Sequence, residues 1–333
     1  MRFLYLPVVS VTCVLFMITG SSGALLALEK PVPLRPLQGV RRVLFLGDSI
    51  TYAGGYVEWI DACLFRYAPE QRYELINLGL PSETVSGLSE PGHAGGAFPR
   101  PDLHERLERA LTRLHPDMVV ACYGMNDGIY HPWDAGRFAR YRAGMQRLQE
   151  TVRRAGATLW VVTPPPFDAH PVRARALPAG QSGYSSDRPF EGYDAVLARY
   201  AAWLRGKRRA GWKVIDVHAS LRAVLTARRQ QDPDFVLAGD GVHLEAYGHR
   251  LVAREILRAW GASSMALLEL ERATLLPADG MALVRERQQI LRDAYLSAVG
   301  HRRPGLPAGM PVAEAEAKAR QLEERIREMV RTR

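Results

Sequence analysis

Val43-Leu44-Phe45-Leu46-Gly47-Asp48-Ser49-Ile50-Thr51 is the stretch on which the reading of this chain turns. Four apolar residues run without a polar break into a glycine, and an acid and a serine follow. A continuous apolar run, rather than an alternating one, is the pattern of a strand covered on both faces of a parallel sheet. Ser49 then sits where that strand turns into a helix, a position that holds a hydroxyl fixed and exposed. Taken alone, such a serine is an ordinary helix cap. It becomes a nucleophile only when a neighbouring base takes its proton.

Working outward, further apolar runs occur at Leu75–Leu78, Met118–Cys122, Leu159–Thr163 and Val214–Val217. Amphipathic stretches separate them at Tyr56–Tyr67, Asp102–Leu114, Ala135–Ala155, Tyr193–Arg209 and Ala246–Trp260. The alternation predicts right-handed βαβ crossovers and an α/β chain folded as a three-layer α/β/α sandwich around a parallel sheet. Two long irregular stretches, 81–101 and 164–189, leave the carboxyl ends of predicted strands, where open α/β folds bind ligands. They are expected to wall a cleft. Beyond Trp260 the pattern becomes helical at Met265–Leu276, Ala282–Val299 and Val312–Val330. In the last of these Ala315, Ala319, Leu322, Ile326 and Met329 form one apolar stripe that must be buried. The expected organisation is therefore an export signal over 1–24, an α/β domain over 38–262 and a helical extension over 263–333.

Three further motifs give Ser49 its context: Asn77-Leu78-Gly79, Gly124-Met125-Asn126-Asp127 and Asp240-Gly241-Val242-His243. The first two follow predicted strands and so project into loops at the same end of the sheet. Histidine titrates in the range needed to take a serine proton, and a carboxylate three residues away can orient its ring. In this order the four segments resemble the four blocks of the SGNH hydrolases, or GDSL esterase/lipase family, with Ile50 where that name has leucine. The resemblance covers roughly residues 40–260. It implies a flavodoxin-like sheet, hydrolysis of an ester through an acyl-enzyme, and no metal or other cofactor.

On that resemblance Ser49, Asp240 and His243 form the catalytic set. The backbone amides of Ser49 and Gly79 and the carboxamide of Asn126 form the oxyanion hole. Asp48 shapes the turn after the first strand, and Asp127 supports the Asn126 loop. His218, at a predicted strand end, and His249, on the following helix, read as structural. His93, Arg100, His131 and Tyr184 lie in the cleft loops and read as solvated or locally hydrogen-bonded. The spacing of Asp168 and His170 is not diagnostic of a metal.

The chain has 333 residues, a formal charge of +9 and only four lysines, Lys30, Lys207, Lys213 and Lys318. Its arginines are interspersed with glutamates, as in Arg106-Leu107-Glu108-Arg109, and read as solvated helix faces rather than a nucleic-acid footprint. Arg2, the apolar run of 3–18 and the small residues of 20–24 read as a cleaved export signal, leaving no stable membrane span. Cys13 would leave with it. Cys63 and Cys122 remain, on a predicted helix and a predicted central strand, and read as buried apolar side chains.

The expected activity is thus that of an exported serine esterase acting on a small-molecule or polysaccharide ester. Small and polar cleft loops favour an O-acetyl group on a carbohydrate. A lipase, arylesterase or thioesterase of the same family is the second reading. A non-catalytic binding module that docks a partner through the helical tail is the third.

Overall fold

The computed structural model describes residues 34–332, so the expected signal over 1–24, including Cys13, lies outside the described residues. Five strands form one parallel sheet: β1 (Arg42–Gly47), β2 (Glu74–Asn77), β3 (Met118–Cys122), β4 (Thr158–Val162) and β5 (Lys213–Ile215). Their order is β2-β1-β3-β4-β5, the flavodoxin-like arrangement. The register pairs Val43 with Met118 and Leu46 with Ala121 across the centre. All five residues of β3 are buried, which is why the strand reads as an unbroken apolar run.

Parallel strands need crossovers, and helices supply them in a three-layer α/β/α sandwich. They are α1 (Ser49–Ala53), α2 (Gly55–Tyr67), α3 (Leu107–Leu114), α4 (Ala135–Arg154), α5 (Tyr193–Lys207), α6 (Val217–Arg229) and α7 (Ala246–Ala259). The chain order reverses between β1 and β3. That switch point opens a crevice at the carboxyl ends of those strands, where Ser49 and Asn126 emerge on its two sides.

Some expected boundaries move. The run Val214–Val217 is not all strand: β5 ends at Ile215, and Asp216 accepts the Ala219 amide hydrogen to cap α6, a helix missing from the sequence reading. His218 is therefore in the first turn of a helix and not at a strand end. Its Nε2 lies 3.1 Å from Asp194 Oδ1. The helix expected over 102–114 breaks at Arg106, with a short 3₁₀ turn before it. Arg106 is also 1 % exposed, so the reading of it as a solvated helix residue fails. Cys63 and Cys122 are both free and buried, and burial pushes the Cys63 thiol up to about 12.

Three further helices follow: α8 (Ser264–Glu271), α9 (Ala278–Val299) and α10 (Val312–Arg331). Helix α9 packs on α2, α3 and the edge strand β2, and α10 packs on α9 and α2. The stripe of Ala315, Ala319, Leu322 and Ile326 is buried there, with Val330 rather than Met329 completing it. Charge is buried with it. Arg287 Nη1 lies 2.9 Å from Asp61 Oδ2 of α2, and Gln288 Nε2 donates to the same oxygen at 2.7 Å. Buried Arg327 and the exposed Arg72 both close on Glu323. Buried charges persist only when paired in this way, so the pairs fix how the helices seat on the sheet edge.

Candidate active site

Asp48 follows β1 in an extended conformation, and its carboxylate accepts the Ile50 amide hydrogen at 2.9 Å. It is therefore the cap of α1, which frees Ser49 at the first helical position from that duty. Burial pushes the Asp48 carboxyl up to about 7, against the opposing pull of the Ile50 amide and of His243.

From 194 residues away, His243 brings Nε2 to 2.8 Å from Ser49 Oγ. Its Nδ1 lies 2.6 Å from Asp240 Oδ2. Asp240 Oδ1 accepts the amide hydrogens of Val242 at 2.9 Å and His243 at 2.7 Å. A carboxylate only accepts, so Nδ1 carries the ring hydrogen and Nε2 presents its lone pair to the serine hydroxyl. The tight return of this loop depends on Gly241, at φ +81°. A β-carbon there would also lie 2.4 Å from the Asp168 carbonyl oxygen. Asp168 itself is gripped by the Arg229 guanidinium at 2.6 and 3.1 Å, and His170 faces Asp234.

The electrostatics follow from these contacts. Burial acts to raise the Asp240 carboxyl, but the hydrogen bonds from the His243 ring and from two backbone amides outweigh it, and the group stays far below the usual carboxylate range. The bond to Asp240 raises the His243 imidazole above its ordinary 6.5, against a smaller opposing effect of burial. Both side chains are about half exposed, at 52 % for His243 and 48 % for Asp240. The site therefore lies on an open rim. The second histidine nearby, His249, is buried and stacks on Tyr56, and burial holds it down to about 4.

The two loops expected to supply oxyanion donors lie beside this line. Asn77 binds the first: its Nδ2 donates to the Thr51 carbonyl at 2.7 Å, and its Oδ1 accepts the Gly79 amide hydrogen at 2.8 Å. A β-carbon on residue 79 would fall 2.2 Å from the Tyr52 backbone nitrogen, so only glycine lets this loop lie on α1. The Gly79 amide is thus already engaged, and an oxyanion there must share or displace the Asn77 oxygen. Asn126, after β3, donates from Nδ2 to the Glu83 carbonyl at 3.2 Å. A carboxamide nitrogen has two hydrogens, so this contact uses only one. Asp127 Oδ1 accepts the amide hydrogens of Val85 and Ser86 at 2.9 and 2.8 Å, tying the Asn126 loop to the 81–101 segment. Burial pushes Asp127 up to about 6.

The other cleft-loop residues have local partners. Arg100 grips Glu90 through two contacts of 2.6 Å, and His93 Nδ1 faces the same carboxylate at 3.3 Å; all three are buried. Tyr184 donates to the Pro178 carbonyl at 2.7 Å and lies against His131, ring centroids 5.2 Å apart. Absent from the sequence reading was a buried strut. Arg106 pairs with Glu83 at 2.6 and 2.8 Å and donates to the Leu78 carbonyl at 2.7 Å. Tyr123 donates to Glu83 Oε2 at 2.6 Å. Nothing in sequence spacing pairs two charges 23 residues apart across an irregular loop. Arg106 falls inside the helix expected over 102–114, where nothing in the sequence sets it apart from its neighbours.

The model of the GDSL-like lipase/acylhydrolase family matches residues 45–251, more than half of the chain. An acetylxylan esterase from Geobacillus stearothermophilus is 23 % identical over 235 residues, 66 % of this chain and 94 % of that protein. Among solved structures, a gut microbial diltiazem-metabolizing enzyme superposes with a TM-score of 0.50 at 22 % identity. The match covers 67 % of this chain and 47 % of that one, so this chain spans about half the length of that enzyme. Axe2, an acetylxylan esterase from Geobacillus stearothermophilus, gives a TM-score of 0.48 at 21 % identity, covering 67 % of this chain and 95 % of the other. At 22 % identity the first of these likenesses speaks to the fold alone.

Proposed function

The chain belongs to the GDSL-like lipase/acylhydrolase family of ester-cleaving hydrolases, and from that premise we propose that it removes O-acetyl groups from a carbohydrate through an acyl-enzyme on Ser49. The observation that carries the chemistry is the line from Ser49 Oγ through the His243 ring to Asp240, at 2.8 and 2.6 Å. His243 takes the Ser49 proton as Oγ attacks the ester carbonyl. Collapse of the tetrahedral intermediate breaks the bond to the alcohol oxygen, which receives that proton and leaves. Water, deprotonated by the same Nε2, then displaces the acyl group as a carboxylic acid and restores Ser49. The Ser49 amide and the free hydrogen of Asn126 Nδ2 stabilise the oxyanion, joined by the Gly79 amide when the Asn77 oxygen gives way.

Two observations support acetyl on a bulky alcohol. The relative named above is an acetylxylan esterase. The half-exposed His243 and Asp240 put the reacting atoms on an open rim, which admits a polymer chain but offers a long acyl chain little surface to bury. A matched series of chromogenic esters from acetate to octanoate, run beside acetylated xylo-oligosaccharides, tests this. The expected result is kcat/KM highest for acetate, with free acetate released from the oligosaccharides. Rates that climb with chain length would favour the lipase reading. Export is part of the same proposal, resting on the apolar run of residues 3–18. A mature amino terminus between Gly23 and Ala27 is expected from terminal sequencing, and a secreted or cell-bound protein beginning at Met1 would contradict it.

The pH dependence follows from the His243 environment. Only the neutral imidazole accepts a proton, and its bond to Asp240 stabilises the protonated form. The acid limb of kcat/KM should therefore have its midpoint above 6.5. Asp240→Asn removes the anion, so the midpoint should move to lower pH while the plateau falls. A limb that stays in place in this variant would assign it to another group, Asp48 being the nearest alternative.

A further inference from the structure

We infer that Tyr130 is a positioning residue for the Asn126 carboxamide, fixing the direction in which its free N–H points; the inference rests on the proposed oxyanion role of Asn126. The amide is held at both ends. The Glu83 carbonyl oxygen can only accept, so the Asn126 atom facing it at 3.2 Å is the NH2 nitrogen. The other end is then the oxygen Oδ1, which accepts from the Tyr130 hydroxyl at 3.1 Å. With both contacts made, the carboxamide cannot flip, and the second Nδ2 hydrogen is the only one not engaged in this pair of contacts.

The backbone is bent to bring that hydroxyl under Asn126. Ile129 and Tyr130 both have left-handed conformations, with φ +47° and +59°. Side chains other than glycine rarely adopt this geometry, and a β-branched residue least of all. It survives where surrounding contacts over-determine it, often at a functional site. Here the Tyr130 ring stacks on Tyr193 with centroids 5.0 Å apart, and the Arg100 guanidinium lies 5.4 Å from its centroid. The Phe190 amide donates to the Tyr130 carbonyl at 2.9 Å. Tyr193 in turn donates to the Met125 carbonyl at 2.7 Å, anchoring the residue next to Asn126. Arg100, buried and locked to Glu90, therefore acts at a distance: it holds the tyrosine that holds the asparagine.

Tyr130→Phe tests this because it deletes one oxygen and keeps the stack. Losing one such hydrogen bond is expected to lower kcat for a chromogenic acetate ester by about 5- to 10-fold, with KM within about twofold. A merely structural tyrosine would instead lower kcat by the same factor in any background. The decisive measurement is therefore a double-mutant cycle. Asn126→Ala alone is expected to lower kcat by about 100- to 1000-fold. Adding Tyr130→Phe to Asn126→Ala should then change kcat less than about twofold, because no amide remains to be aimed. Wild-type kcat in Tyr130→Phe, or an equal loss in both backgrounds, overturns the positioning role and leaves Asn126 as a donor. Undiminished kcat in Asn126→Ala overturns the oxyanion reading and the positioning role with it. Thermal melts of all four proteins exclude partial unfolding as the source of any loss.

Discussion

Ser49→Ala should leave the fold intact while kcat/KM for a chromogenic acetate ester falls by about 10⁴- to 10⁶-fold, the range seen when a serine hydrolase loses its nucleophile. The separation of the two effects follows from the division of labour at the start of α1. Asp48 caps the helix, and the hydrogen-bond partner of the Ser49 side chain is His243 Nε2. Removing the hydroxyl breaks one half-exposed contact and places a better helix former at a helical position. The melting temperature should stay within about two degrees of the parent value. Asp48→Ala makes the opposite case, removing a buried cap, and should lower the melting temperature before any chemistry is measured. Activity above about 1 % of wild type in well-folded Ser49→Ala would remove residue 49 as the attacking group. Equal activity in both proteins, or none in either, would return attention to the binding-module reading, for which the serine line has no use.

The parts legible in the sequence share one physical property: their signal is local. A strand buried on both faces must be apolar at every position, so β3 stands out with its ends in place, and motifs attached to such strands are placed with them. The Asp240–His243 pair is legible because its contact closes within one turn. The missing pieces are those whose reason lies elsewhere in the chain. Helix α6 was hidden because Val217 continues the apolar run of β5 past the capping Asp216. Arg287, Gln288 and Asp61 are buried polar residues on facing helices, and each in its own sequence interrupts an apolar stripe. Gly79 lies against α1, where only a glycine fits. What its spacing concealed is that Asn77 already occupies its amide. Arg106 was the largest misreading, a charge among charges on paper and 1 % exposed in the fold.

Replacing Arg106 with leucine is accordingly expected to cost about 3–5 kcal/mol of stability, the usual consequence of stranding one member of a buried pair. Glu83 is fully buried, and without Arg106 its side chain keeps, among the described residues, only the Tyr123 hydroxyl. The Leu78 carbonyl, next to Gly79, loses its donor at the same time. The size of the deficit should depend on pH, with a definite sign. Burial already raises the Glu83 carboxyl above its ordinary 4.5, with Arg106 the main opposing influence. In Arg106→Leu that opposition is gone, so the folded-state value rises further while the unfolded value stays. A carboxyl with a raised folded value binds its proton more tightly in the fold, so its contribution to stability declines as pH rises from about 4.5 through the folded value. Urea unfolding should therefore show a larger deficit at pH 8 than at pH 5, and a deficit equal at both would mean that Glu83 is not the stranded charge. Adding Glu83→Gln removes the stranded charge, and the double variant should recover most of the lost stability. Activity should not recover with it. The strut joins Leu78, beside the Gly79 loop, to Glu83, whose carbonyl holds the Asn126 carboxamide, and an uncharged pair lacks the bidentate geometry that sets their separation. A stable double variant with wild-type kcat would show that the ion pair serves the fold alone; a stable one that turns over slowly would show that the two loops proposed to hold the oxyanion are aimed by a salt bridge that touches no substrate.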